Sequence, residues 1–303
     1  MSETLSPRIA IALFGVAVFS WGINWSVTQV VVASVTPLWW TSIRCWIAVA
    51  ALLPMLGFSG KLILPPRGDY KVVLSVALLH MTAFSTLAAA SQKFLPASKA
   101  IVLGYSTPLW VAIAAPFVLG EKLTGWRAAG ILISLGGLAV IFNPVAFDWT
   151  DRHTVFGCAL VILASICWAA NIILLRFHRW IASPFQLLFW QALVAACVLS
   201  MAALIVDGVP VIPWSLKLVL LMAQGGLVGT VLAYWAMSMV NRALPAITTS
   251  LGVLMTPLVG MACAALLLGE AVSASLVLAA ALIVGGVALG TIVDAVRSKT
   301  GKR

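Results

Sequence analysis

The chain has 303 residues, of which 63 % are hydrophobic and only 9 % charged, with a formal net charge of +10 and a mean hydropathy of +1.13. A soluble domain carries roughly 25 % charged residues, so this composition excludes a soluble globule and points to a bilayer, which asks for no polar cover. Nucleic-acid binding is excluded as well, because the 18 Lys and Arg sit in short connections and at the C-terminus, not in a basic stripe interleaved with aromatics.

A transmembrane helix needs about 20 mostly apolar residues. Arg8 precedes an apolar run from Ile9 to Val32. That run exceeds the roughly 7–15-residue core of a cleaved signal peptide, so it reads as a retained first span over 8–32. Further spans are expected at 37–58, 70–91, 95–118, 124–143, 154–177, 183–206, 214–240, 244–267 and 272–294. Breakers punctuate them: Thr36-Pro37, Pro65-Pro66, Asn143-Pro144, Ser183-Pro184 and Asp207-Gly208. The expected fold is therefore an all-α integral membrane protein of ten transmembrane helices, with no stretch long enough for a separate soluble domain.

With the N-terminus in the cytoplasm, the cytoplasmic segments hold 13 basic residues. The outer segments hold only Lys93, Lys99, Arg152 and Lys217, and Arg44 lies inside a span. The positive-inside rule selects this orientation, with both termini cytoplasmic in the inner (plasma) membrane and the segment from Asp148 to His153 outside. The five cysteines fall in apolar stretches and no two form CxxC, so they read as reduced packing residues rather than metal ligands or disulfides.

The two halves of the chain resemble each other. Trp21-Gly22-Ile23-Asn24 recurs 147 residues later as Trp168-Ala169-Ala170-Asn171, and Pro37 recurs as Pro184. At an offset of 149, Leu95-Pro96-Ala97 matches Leu244-Pro245-Ala246, Thr107-Pro108-Leu109 matches Thr256-Pro257-Leu258, Leu119-Gly120-Glu121 matches Leu268-Gly269-Glu270, and Gly136-Gly137 matches Gly285-Gly286. Leu and Gly matches alone would be chance in an apolar chain; Trp, Asn, Pro and Glu at nearly constant offset are not. The halves are read as 1–147 and 148–303, the second ending in a short basic cytoplasmic tail. Five spans per half is an odd number, so the halves enter the membrane from opposite sides. Such an inverted repeat is the architecture of alternating access around a central site.

The paired Thr-Pro-Leu and Leu-Gly-Glu, the Gly-Gly helix that follows, and Arg44 in the second span give the chain a resemblance to the drug/metabolite transporter superfamily, in its ten-helix exporter branch with two EamA-type repeats. The resemblance covers nearly the whole chain. The second half departs from it by placing Gln191 where Arg44 would recur. Within that branch, the tryptophan-rich first and sixth spans are most similar to bacterial aromatic amino-acid exporters, which implies export of aromatic or other apolar amino acids.

Seven residues are the candidate substrate contacts. His80 sits at mid-bilayer depth, where an ionisable group is costly unless it faces a cavity or a partner. Trp21, Asn24, Trp25 and Thr28 form one helical stripe, partly repeated by Trp168 and Asn171. Indole faces would hold an apolar group and the amides would orient polar ends, although an Asn in a span also serves as helix glue. Tyr105 and Tyr234 complete the set. Pro108 and Pro257 are expected to break the backbone ladder mid-span in the fourth and ninth helices. Arg44, toward the outer side of the second span, could snorkel, pair with backbone carbonyls or meet a substrate carboxylate, and the structural role is favoured; Trp39, Trp40, Trp126, Trp149, Trp180 and Trp214 are read as an interfacial belt. Glu121 and Glu270 are expected to organise a turn or close a gate by capping N–H groups. The glycine pairs allow close helix approach within one monomer.

No catalytic residue, cofactor or metal is expected. There is no HExxH, no GxSxG and no cluster of carboxylates, and the three histidines stand far apart, which disfavours a membrane lipid enzyme. A scaffold protein would not need matched polar residues in both halves. Export by facilitated diffusion is favoured, because no GxxxxGK[ST] is present and no Asp or Glu lies at mid-membrane depth. Proton antiport through His80 is the alternative, with a flippase for lipid-linked intermediates behind it. The partners are a small-molecule substrate and the lipid bilayer, for a monomer without an obligate protein partner.

Overall fold

The computed structural model describes residues 7–118, 120, 125–142, 150–243 and 252–300. Among these the regular structure is entirely helical. Seven helices are long and apolar enough to cross a membrane: Pro7–Val32 (counted from Arg8), Pro37–Phe58, Arg67–Ser91, Ala97–Val118, Arg152–Arg176, Pro184–Val206 and Leu216–Met237. Three shorter apolar helices, Ala128–Ile141, Thr256–Leu268 and Ala274–Leu289, fall where the fifth, ninth and tenth spans are expected. Residues 244–251, at the start of the expected ninth span, lie outside the described residues, as do Glu121 and Trp149. Large apolar side chains such as Ile205, Leu266 and Phe117 point outward at 80, 85 and 87 % exposure, where a soluble protein would place charge. The helices are called first to tenth below, in chain order.

Local chemistry sets several helix ends. The second helix, Pro37–Phe58, starts at Thr36, whose hydroxyl accepts from the Trp39 N–H, with Pro37 in the first turn. The seventh, Pro184–Val206, starts with a full capping box between Ser183 and Gln186 and again a proline in the first turn. The sixth, Arg152–Arg176, is capped by Asp151, which accepts from the Thr154 hydroxyl and the His153 N–H; these bonds hold its carboxyl below the usual carboxylate range.

Nearly all the large interfaces join the two halves, and each recurs when the halves are exchanged. The first helix packs on the eighth and ninth, and the sixth packs on the third and fourth. The second helix packs on the eighth, and the seventh on the third. The second meets the seventh, and the fifth meets the tenth. The second and seventh helices run antiparallel. At one end the Thr36 hydroxyl donates to Asp207 at 2.5 Å and Trp39 Nε1 to the Gly208 carbonyl at 3.0 Å. At the other, Trp190 Nε1 donates to the Ile63 carbonyl at 2.7 Å and Gln186 Nε2 to that of Lys61 at 3.4 Å.

The fifth and tenth helices cross through glycine. A Cβ on Gly137 would press on the backbone of Ala279 and Ile283; one on Gly286 would press on Gly130 and Ser134, the residues 149 positions earlier. The neighbouring Gly136 and Gly285 meet nothing, so one glycine of each pair makes the close approach.

The fourth helix breaks at Tyr105 and Ser106 and restarts at Thr107, and the ninth has a turn at Leu254 and Met255 before Thr256. Pro108 and Pro257 thus lie in the first turn of a restarted helix, where a missing N–H costs least, and the break precedes them. The Ser106 and Thr107 hydroxyls donate to the carbonyls of Leu103 and Gly104, which the break releases. The third and eighth helices each contain a π-helical stretch, Val76–Phe84 and Gln224–Leu232, and Gln224 stands 148 positions after Val76.

Candidate functional site

Between the halves lies a cavity of about 460 Å³, within the roughly 300–1,000 Å³ common for small-molecule sites. Trp21, Asn24, His80, Tyr105, Trp168, Asn171 and Tyr234 all line it. The first, third, fourth, sixth and eighth helices supply them, so both halves contribute. The whole stripe Trp21, Asn24, Trp25 and Thr28 faces this space.

Its centre is an aromatic box. His80 stacks on Trp168, with ring centroids 5.2 Å apart and planes 12° apart. Phe84 packs on Trp168 at 4.8 Å and Tyr105 meets it edge-on at 5.7 Å. Trp21 and Tyr234 make a T-shaped pair at 5.8 Å. The Tyr234 hydroxyl lies 3.0 Å from His80 Nδ1, a hydrogen bond between the halves. His80 and Phe84 both belong to the π-helical turn of the third helix, whose extra residue per turn sets both rings toward the sixth helix. The His80 carbonyl accepts from both the backbone N–H and, at 3.1 Å, the hydroxyl of Ser85. Tyr105 reaches the box from the break in the fourth helix.

The two amides differ. Asn171 is 2 % exposed and its Oδ1 accepts from the Ser75 hydroxyl at 2.7 Å, which ties the sixth helix to the third. Asn24 Oδ1 is buried with no hydrogen-bond partner. It lies beside Gly225 and Gly229, where any Cβ would overlap it.

Several lining residues escaped the sequence reading. Trp40 was expected in the interfacial belt, yet it is 1 % exposed, lines the cavity and donates from Nε1 to the Thr28 hydroxyl at 3.3 Å. Gly225 makes this possible, since a Cβ there would strike the Trp40 ring. Trp180 also lines the cavity, from the connection between the sixth and seventh helices. Trp126 and Trp214 remain exposed, and Trp39 is half-buried. Phe84, Gln92 and Arg44 are among the other additions. Arg44, read as structural, faces the cavity, and its buried Nε finds no acceptor.

Among the described residues, no Asp or Glu lines the cavity. The acidic side chains that are described all work at helix ends. Asp69, fully buried, pairs with His178 at 2.7 Å and accepts from Ile181 and Ala182. Asp207 binds Thr36, and Asp151 caps its own helix. Glu270 accepts from the Ala97 and Ser98 N–H groups at 2.8 and 2.9 Å, so it caps the start of the fourth helix as the sequence led one to expect. Among the described residues no three metal-ligating side chains come together, and all five cysteines are free.

The chain was compared with known proteins. The model described as "EamA-like transporter family" matches residues 8–143 and again 155–292. The "Uncharacterized transporter YoaV" of Bacillus subtilis (strain 168) is 22 % identical over 271 residues, covering 89 % of this chain and 92 % of that protein. The "Probable amino-acid metabolite efflux pump" of Escherichia coli (strain K12) is 26 % identical over 278 residues, covering 88 and 89 %. A solved structure described only as "Crystal structure of protein" shares the fold, with a TM-score of 0.65 at 20 % identity over 95 % of this chain and 98 % of that one.

Proposed function

The chain belongs to the EamA-like transporter family, and on that premise we propose that it exports small amphiphilic metabolites, aromatic or other apolar amino acids first among them, by alternating access of the cavity between its halves. Ten spans in two inverted five-helix repeats provide the machinery. The antiparallel second and seventh helices and the exchange-symmetric helix contacts support the inversion. The observation that carries the functional reading is the aromatic box. Residues from both halves close on one space with ring faces for an apolar group and with unpaired polar atoms for a polar head. That one relative bears the name of an amino-acid metabolite efflux pump agrees with this chemistry.

Movement down a gradient is supported by the lining, where among the described residues no carboxylate is placed to relay a proton. The hydrogen bond between His80 and Tyr234 keeps a second reading in view, in which His80 exchanges a proton against the solute. Flux of labelled L-phenylalanine and L-tryptophan into liposomes holding the purified protein decides between them. Facilitated export predicts flux well above empty liposomes and unchanged by a proton gradient. Flux driven uphill by the gradient would establish antiport instead, and no flux of any amino acid would sink the proposal.

A further inference from the structure

Among the described residues lining the cavity, Arg44 is the one unbalanced charge. A guanidinium is always protonated in proteins and offers five N–H donors. Among the described residues it forms no ion pair, and its buried Nε has no acceptor. It lines the same cavity as His80, Trp168 and Tyr234 of the aromatic box. Every described acidic side chain is committed at a helix end. A cation at this depth is costly without a counter-charge. With none in the lining, the counter-charge has to arrive with the cargo.

We infer that the cavity selects solutes carrying a carboxylate, received by the Arg44 guanidinium. This rests on the reading of the cargo as an amino acid and names the group that is recognised. The planar fork of Arg matches a carboxylate with two parallel N–H···O bonds, which an ammonium cannot do. Asn24 and Gln92 also line the cavity, and their buried amide oxygens have no partner, so a rotation of either side chain would bring an acceptor to the ammonium of an α-amino acid. The side chain then lies in the box of Trp168, Phe84 and Tyr105. A zwitterion thus leaves each of these groups paired. An uncharged head group in place of the carboxylate leaves Arg44 unpaired.

The test is competition against the flux of labelled L-phenylalanine in liposomes of purely zwitterionic lipid, where no anionic headgroup can reach Arg44. Unlabelled L-phenylalaninamide replaces the carboxylate by a neutral group of the same shape. In the wild-type protein it should compete at least about tenfold more weakly than L-phenylalanine, the discrimination expected for one charge-assisted pair. Arg44→Gln should lose most of the flux and Arg44→Lys should keep part of it, since Lys preserves the charge without the fork. The wild-type comparison needs no variant, so the inference stays open to refutation even if Arg44→Gln fails to fold. Equal competition by the amide, or wild-type flux in Arg44→Gln, would overturn it while leaving amino-acid export standing. A wild-type protein that moves no L-phenylalanine would sink the export reading, and this inference with it.

Discussion

Asn24 and Asn171 stand 147 positions apart at matching places in the two halves, yet their surroundings give them different work. Asn171 spends its carbonyl on Ser75, a bond between helices that is buried at 2 % exposure. Asn24 lines the cavity, and its carbonyl, buried against Gly229 of the eighth helix, has no hydrogen-bond partner. Removing one partner of a buried hydrogen bond costs about 1–3 kcal/mol, so Asn171→Ala should lower the thermal stability of the purified protein by that order. Asn24→Ala leaves no partner stranded and should change stability by less than about 0.5 kcal/mol, while slowing amino-acid flux. Melting curves in detergent, read alongside flux, check both; equal stability losses would contradict the assignment. The asymmetry was not visible in the sequence. The pair Trp-x-x-Asn recurs in both halves, but the hydroxyl that captures one amide lies 96 residues away on the third helix.

At the level of the helix, the legible features were those that leave a mark on residue type. Pro108 and Pro257 announced interrupted helices, and Thr36-Pro37 and Ser183-Pro184 announced helix starts. All seven residues singled out from depth and repetition line one cavity. The π-helical turns at Val76–Phe84 and Gln224–Leu232 had no such mark, because widening a turn by one residue demands no particular side chain. Trp40 shows a second limit. Nearness to a span end can be read from the chain, but the direction each of Trp39, Trp40 and Trp46 faces cannot be read from the tryptophans themselves; the one pointer was Arg44, a helical turn after Trp40 and on the same cavity. Trp46 turns outward at 42 % exposure and Trp40 inward at 1 %, and the small residue that admits Trp40 is Gly225, in the other half. The repeat was the strongest signal for the reason that proline, tryptophan and glutamate are rarely interchangeable. The glycine crossing of the fifth and tenth helices repeats it at the scale of single contacts.

For the molecule as a whole, contacts fix which helix ends share a side. Thr36 meets Asp207 at one face, and Asp69 meets His178 at the other. By the positive-inside rule we propose that the face bearing Asp69 is the cytoplasmic one, because Lys61, Arg67, Lys71, Arg176 and Arg179 gather there. A cysteine placed at Thr150 in a cysteine-free protein should therefore react with an impermeant thiol reagent from outside only; labelling from the cytoplasmic side alone would reverse the orientation. The central claim is that cargo crosses through the aromatic box between the halves. Its most direct test is the flux of labelled L-phenylalanine through the wild-type protein, Trp168→Ala and, as a control, Trp214→Ala. Trp214 is 65 % exposed at a span end and is not among the residues lining the cavity. Losing the ring that His80, Phe84 and Tyr105 pack against should slow flux roughly two- to tenfold, the equivalent of about 0.5–1.5 kcal/mol of aromatic contact, while Trp214→Ala transports at the wild-type rate. Wild-type flux through a folded Trp168→Ala protein would contradict the account.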